Sequence, residues 1–419
     1  MADSRARLDG PAVPAGASSG PARARPALTR PHGNLLYPPA VVVLVDYRPA
    51  LRQRTGVGEY VHEMLAALGG PGNGDELHLF TTSLRDRLGP GVRRELAGVR
   101  VHDLRVPGKV LNWAWHRLEW PAVERLVHVT PDIVHSAHPL LMPSRRAAQV
   151  ITIHDLDFLD HPKRTAAEIR RDYVPLVRNH ARRADAVLTS SRHSADAIVE
   201  RLGVARERVT VCPAGPPRWA SGGRREPRRA DGYILFMGTL SERKNVGTLL
   251  DAYERLALRR RDVPPLRLAG GRTPDAARWL ARIAQPPFTG RAEYIGYVPG
   301  GRRRAVYEGA SIVVMPSWHE GFGLPALEAM ALGIPVAAAN AGALPEVVGD
   351  AGILFAPASA DALADALERL LTDGRLATAC IASGLARSAG WSWDQAAGRL
   401  REMYASAAVR RAGRHAHRG

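Results

Sequence analysis

Short runs of apolar and β-branched residues recur along the chain, each followed by a stretch whose apolar positions fall three and four apart. In the first half the runs are AVVVLVDY (40–47), ELHLFTT (76–82), DIVHSA (132–137), QVITIHD (149–155), AVLTSS (186–191) and RVTVCP (208–213). They are continuously apolar rather than alternating, which predicts strands buried on both faces of a parallel sheet. Helical patterns such as GEYVHEMLAALG (58–69) lie between them. A second series repeats the alternation: YILFMG (233–238), LRLAGG (266–271), AEYIGYV (292–298), ASIVVMPS (310–317) and PVAAAN (335–340). Over 246–257, Val246, Leu249, Leu250, Tyr253, Leu256 and Ala257 share one helical face, and Asn245 is placed to cap the first turn.

The expected fold class is therefore α/β, with two doubly wound, Rossmann-like domains facing across a cleft. An Ala/Pro/Gly/Arg-rich stretch, 1–34, reads as a disordered basic tail with no secretory signal. The first Rossmann-like domain is expected over 35–213, with a Pro/Gly/Arg-dense linker over 214–232. The second domain follows over 233–390. A last helical stretch, 391–409, is placed to cross back to the first domain, and 410–419 is a second basic tail. Ligands of such sheets bind beyond the carboxyl ends of the strands, so the cleft between the domains is the expected active site.

Composition narrows this only a little. With 419 residues, 45% apolar and 24% charged, the chain suits a soluble globular protein, and no apolar run nears membrane-spanning length. Cys212 and Cys380 stand far apart, which indicates neither a disulfide framework nor a zinc site and favours a reducing cytoplasm. The net charge of +17 comes almost wholly from arginine; lysine occurs only at Lys109, Lys163 and Lys244. Arginine in place of lysine, with abundant Ala, Gly and Pro, reads first as the mark of a GC-rich genome; as function, such a charge suits nucleotides or acidic lipid headgroups. No basic run is interleaved with aromatics, which argues against a nucleic-acid partner.

The densest chemistry is WHEGFGLPALEAMALG (318–333). It starts at the carboxyl end of a buried-strand run and turns into a helix. Pro325 fits the first helical position and Gly333 the terminus. Gly321 and Gly323 permit close backbone approach, and the helix-start amides suit an anion. Glu320 lies before the helix and Glu328 within its first turns, so both carboxylates can face the cleft and accept hydroxyl hydrogen bonds.

Residues 320–357, EGFGLPALEAMALGIPVAAANAGALPEVVGDAGILFAP, closely resemble the E-x7-E signature of retaining GT-B glycosyltransferases of family 4, and the resemblance extends over most of 40–405. It implies that Glu328 holds the nucleotide ribose, that Glu320 contacts the donor sugar, and that backbone groups of Gly321, Phe322, Gly323 and Leu324 help bind it. FMGTLSERKN (236–245) is similar to the family's phosphate loop, which makes Arg243 and Lys244 the diphosphate cations. Family members often carry arginine where this chain has Thr239, so one cation is missing or replaced by Arg243. Gly56 and Gly58 in RTGVGEYV match a glycine loop near the donor, although a tight turn explains that pair as well. His154 corresponds to a histidine close to the transferred sugar, and Tyr297 and Val298 lie in the segment that reads the base.

The resemblance implies a metal-independent, retaining hexosyltransferase with no cofactor besides its substrate, a nucleoside diphosphate sugar. The acceptor is expected to be a glycan, glycolipid or polysaccharide, and the GTLSERKN loop favours mannose from GDP-mannose. Asp155 and Asp157 mimic the metal-binding D-x-D of another transferase fold, a reading at odds with the E-x7-E helix. The catalytic set is His154, Glu320, Arg243 and Lys244. Arg-rich ends, 5–30 and 410–418, suit an enzyme held at the inner face of an anionic membrane. Trp113, Trp115 and Trp120 are expected to pack in a core. The alternatives are an NAD-dependent oxidoreductase built on TGVGEYV, which lacks the third glycine of a dinucleotide loop, and a non-enzymatic basic protein binding nucleic acid or membranes.

Overall fold

The computed structural model describes residues 41–52, 54–70, 74–165, 167–220 and 232–416. The basic tail at 1–34, most of the 214–232 linker and the last residues of the 410–419 tail lie outside them.

Two all-parallel sheets form the frame. The first holds β1 (Val42–Asp46), β2 (Glu76–Thr82), β3 (Arg100–Leu104), β4 (Ile133–Ser136), β5 (Ala148–Thr152), β6 (Ala186–Thr189) and β7 (Val209–Val211), in the order β3-β2-β1-β4-β5-β6-β7. The second holds β8 (Tyr233–Met237), β9 (Leu266–Ala269), β10 (Ala292–Gly296), β11 (Ala310–Met315), β12 (Val336–Ala339) and β13 (Gly352–Phe355), in the order β10-β9-β8-β11-β12-β13. Central strands such as β8, β11 and β12 are buried at every residue, as continuous apolar runs require. Each order reverses beside its first strand, which leaves a crevice there for a ligand.

Six helices bear on the site: α1 (Gly56–Leu68), α2 (Gly108–Leu118), α3 (Val246–Arg259), α4 (Gly300–Glu308), α5 (Leu324–Ala331) and α6 (Trp393–Ala416). Val246, Leu249, Leu250, Tyr253 and Leu256 of α3 are fully buried against the second sheet. Asn245 begins α3, but its side chain does not cap an amide, because the residue adopts the left-handed conformation (φ 54°). Its Nδ2 instead donates to the carbonyls of Pro316 (3.0 Å) and Pro357 (2.8 Å). That bond ties the start of α3 to the end of β11. Helix α5 ends where Gly333 turns left-handed (φ 58°) and donates to the carbonyl of Met330 (2.8 Å).

Helix α6 packs on α1, β4 and β5 of the first sheet. Tyr404 shares a 2.7 Å hydrogen bond with His135 Nδ1, and the Trp393 ring meets Tyr60 edge-on at 5.4 Å. The chain thus returns from the second sheet to the first and fastens the two together.

Candidate active site

Beyond β8 and β11 run the segments 238–245 and 316–323, and the opposing wall comes from α1 and the loop after β5. Between them lies a cleft of about 250 Å³, open at its mouth. Gly56, His154, Arg243, Lys244, Tyr297, Val298, Glu320, Gly321, Phe322, Gly323, Leu324 and Glu328 all line it. Gly58 does not. It is buried in α1, where a Cβ would stand 2.8 Å from the carbonyl oxygen of Pro49, so its lack of a side chain lets α1 pack on the preceding turn. The loop that alone suggested a dinucleotide therefore brings only Gly56 of its two glycines to the cleft.

One end of the cleft is a cluster of opposite charges. Glu320 is buried, and one of its oxygens receives Lys244 Nζ and the Ser317 hydroxyl (2.6 Å). Its other oxygen lies 3.2 Å from Arg243 Nη1, which also donates to the carbonyl of His319 (2.6 Å). Burial alone would raise the Glu320 carboxyl, but the charges of Lys244 and Arg243 outweigh it and hold it at about 2. Burial pulls Lys244 down while Glu320 opposes that pull. Arg243 is held above its ordinary value, because Glu320 and Asp155 outweigh its burial. An ammonium has three donors, so Lys244 keeps capacity for an incoming anion beside Glu320.

At the other end, Glu328 is buried on α5. The Tyr307 hydroxyl donates to its Oε2, and Arg303 Nη1 lies 3.5 Å from its Oε1. Burial pushes this carboxyl up to about 7, against the opposing effects of Arg303 and Tyr307. The two glutamates thus sit in opposite electrostatic settings: one held firmly ionised, the other able to lose its charge near neutrality.

His154 faces the cleft just past the end of β5, two residues beyond its last paired residue, Thr152. Burial lowers its imidazole to about 4, so the ring is neutral near pH 7. Its Nε2 has no hydrogen-bond partner, and Tyr60 braces the ring edge-on at 5.1 Å. Gly321 is pressed against the same turn: a Cβ there would stand 2.2 Å from the His154 carbonyl oxygen. Ser190 and Ser194 lie at this junction too. Ser194 Oγ donates to the His154 carbonyl (2.7 Å), Ser190 Oγ to the Gly321 carbonyl (3.3 Å), and Ser191 caps its own helix.

Four contributors escaped sequence reasoning. Gly270 and Gly271 line the cleft, and Gly270 (φ 136°) lies so close to Gly238 that a Cβ would stand 2.0 Å from its carbonyl oxygen. The GG pair ending a strand run was a visible signal. Arg303 sits one of three arginines deep in GGRRRAVY, and its i, i+4 relation to apolar-facing Tyr307 was the only pointer to its inward direction. Tyr60 carried none. Of the tryptophans of α2 and the turn after it, Trp115 is buried as expected, but Trp113 and Trp120 are 55% and 57% exposed. Trp113 falls on the outer side of α2, whose inner stripe, Leu111 and Trp115, already fills the core, and Trp120 lies beyond the end of that helix.

Two parallel-sheet halves of this topology, facing across one cleft, define the GT-B class of fold. Residues 55–215 match the glycosyl transferase 4-like domain, and residues 231–373 match glycosyl transferases group 1. The D-inositol 3-phosphate glycosyltransferase of Stackebrandtia nassauensis is 31% identical over 319 residues, covering 72% of this chain and 68% of that protein. The O-antigen chain mannosyltransferase B of Escherichia coli is 28% identical over 360 residues, covering 81% of this chain and 93% of that protein. Among solved structures, sucrose-phosphate synthase from Thermosynechococcus elongatus superposes with a TM-score of 0.69 at 20% identity, covering 87% of this chain and 98% of that one. The chain belongs to the group 1, family-4-like GT-B glycosyltransferases.

Proposed function

We propose that this glycosyltransferase is retaining and metal-independent, moving a hexose from a nucleoside diphosphate sugar to a hydroxyl of a glycan, glycolipid or polysaccharide. The observation that carries this reading is the pair Glu320 and Glu328, buried in one cleft and differently partnered. Glu320 stands among two cations suited to a diphosphate and its sugar. Glu328 stands where ribose hydroxyls can donate to it. GDP-mannose is the favoured donor, supported by the similarity to an O-antigen mannosyltransferase.

In this mechanism Lys244 and Arg243 take the diphosphate, helped by amides at the start of α5. The bond from the anomeric carbon to the β-phosphate oxygen breaks as the acceptor oxygen bonds the same carbon from the same face. The acceptor proton passes to the departing phosphate oxygen, so nucleoside diphosphate and a glycoside of unchanged anomeric configuration leave. Cations fixed beside the growing phosphate charge lower the barrier because they need no reorganisation. His154, neutral with a free Nε2, is placed to steady the sugar while positive charge develops on its ring. Closure of the cleft excludes water and limits donor hydrolysis.

An acceptor carried on a lipid suits the outer side of α2 and the turn after it. There Val110, Trp113, Leu118 and Trp120 are more than half exposed, and Lys109 and Arg117 of the same helix are exposed too. This supports peripheral attachment to an anionic membrane from the cytoplasmic side; flotation with anionic vesicles tests it, and protein remaining at the bottom of the gradient would end it.

The decisive test of the donor reading is calorimetry with GDP, UDP and NAD in excess EDTA, beside Lys244→Ala. Micromolar binding of one nucleoside diphosphate, weakened in the variant, supports the reading and names the base. Binding of NAD alone, or of nothing until metal is added, overturns it. The anomeric configuration of the product by NMR decides retention.

A further inference from the structure

Arg303 lies on α4, yet its guanidinium reaches across the cleft. Its Nη2 donates to the carbonyl of Arg54 (2.8 Å), just ahead of α1. Its Nη1 stands 3.6 Å from Glu59 Oε1 on α1 and 3.5 Å from Glu328 Oε1 on α5. One nitrogen thus faces a carboxylate from each half of the molecule. All three side chains are nearly buried, at 11%, 7% and 5% exposure for Arg303, Glu59 and Glu328.

Two carboxylates brought this close repel unless a cation separates them. Sharing Nη1 as a neighbour, the two Oε1 atoms are no more than about 7 Å apart. Glu59 Oε2 has no hydrogen-bond partner, so it gains nothing from its burial except the field of nearby cations. Arg54 Nε lies 3.8 Å from it, but that arginine is partly exposed and also engages Glu95 (3.2 Å). Arg303 is the cation that both carboxylates share.

We propose that Arg303 is an inter-domain positioning residue whose charge, set between Glu59 and Glu328, allows the two halves to close over the nucleotide site. The role of Glu328 toward ribose rests on the donor-site reading above; the bridge itself rests on the geometry alone. The α1 half carries a carboxylate that would otherwise be driven from the cleft by the ribose-binding carboxylate. Arg303 turns that repulsion into attraction on both sides, so closure and a correctly aimed Glu328 are obtained together.

The experiment uses the full chain with Arg303→Gln, Arg303→Lys, Glu59→Gln and the double variant Arg303→Gln/Glu59→Gln. At pH 8, where Glu328 is ionised, small-angle scattering reads closure without any ligand, and calorimetry with GDP and UDP reads the nucleotide site. Arg303→Gln should enlarge the radius of gyration and weaken binding of the preferred nucleoside diphosphate by about tenfold, within the usual span of coupling between sites. Removing the second charge should reverse this: the double variant should be more compact than Arg303→Gln and recover most of its lost affinity. Arg303→Lys, which keeps the charge, should stay compact, and circular dichroism checks that each variant is folded. A merely structural arginine gives the opposite order, with the double variant no better than the single one, and that result overturns the proposal. An unchanged radius in Arg303→Gln also overturns it. Should neither nucleotide bind even the unaltered protein, the donor reading fails while scattering still decides the bridge.

Discussion

Gly321 and His154 meet backbone to backbone across the cleft, with no space between them for a methyl group. The first residue follows the donor-side carboxylate Glu320, and the second turns out of β5, so this contact sets how closely the two halves approach. A Gly321→Ala substitution must move the His154 turn or part the halves. We expect transfer to fall on the order of 10²-fold, the usual cost of a displacement near 1 Å at a reacting centre. Nucleoside diphosphate binding should fall by no more than about tenfold, the loss expected from parting the halves, because Lys244 and Glu328 belong to the second half. Steady-state kinetics beside calorimetry separates the two effects, and equal losses in both would refute the assignment.

Lys244 and Arg243 both pair with the buried Glu320, so removing Lys244 leaves that carboxylate with a single, half-buried cation. Lys244→Ala should weaken nucleoside diphosphate binding by roughly 1.5–3 kcal/mol, the worth of a charged hydrogen bond. It should also destabilise the protein, by less than the about 3–5 kcal/mol of a fully broken buried pair because Arg243 still faces Glu320. Because the folded protein holds Glu320 at about 2, below its ordinary 4.5, this carboxylate stabilises the fold above pH 4.5. That contribution fades as pH falls from there through about 2. Acid unfolding followed by circular dichroism should therefore move to higher pH in Lys244→Ala; an unmoved transition would show that the lysine does not hold Glu320 ionised.

His154 tests a different part of the mechanism. Its ring is neutral, its Nε2 is unpartnered, and it lies on the wall opposite the phosphate cations. His154→Ala should lower kcat by roughly 10²–10³-fold, the scale of losing one fixed polar group beside developing charge. The affinity for GDP or UDP alone should stay within about twofold, since no phosphate or ribose group reaches it in this reading. A matching loss of nucleotide affinity would move His154 from the sugar to the nucleotide.

Much of this architecture was legible because buried parallel strands write themselves as continuous apolar runs. Two strands were not. β3 reads RVHDL, an edge strand half-exposed along its length, whose charged and polar residues break any run. β13 reads GILF, too short to separate from a loop. At the site, Glu320, Glu328 and Lys244 stood in motifs whose spacing follows from a strand, a turn and a helix start. Arg303 did not, because its partners Glu59 and Glu328 belong to elements 244 and 25 positions away. Gly58 failed for the opposite reason: a glycine needed for close packing looks the same in sequence as one needed for a ligand.

Glu328 carries the last prediction, in which stability and function oppose one another. Burial raises its carboxyl from 4.5 to about 7, so the unfolded chain gives up this proton more readily than the folded protein. The group therefore favours the fold most at low pH, and its stabilising effect is lost as pH rises from 4.5 through about 7. At pH 8 the buried charge costs about 3 kcal/mol relative to pH 4. Glu328→Gln removes that cost and should raise the melting temperature of the ligand-free protein at pH 8 by a few degrees, with no gain at pH 4.5. In the proposed reading the same substitution replaces the charged acceptor of ribose hydroxyls with a neutral amide that offers one oxygen, and should weaken GDP or UDP binding about tenfold at pH 8. Thermal melts and calorimetry across this range decide the matter. A variant that gains stability equally at both pH values would show that Glu328 is not the group titrating near neutrality.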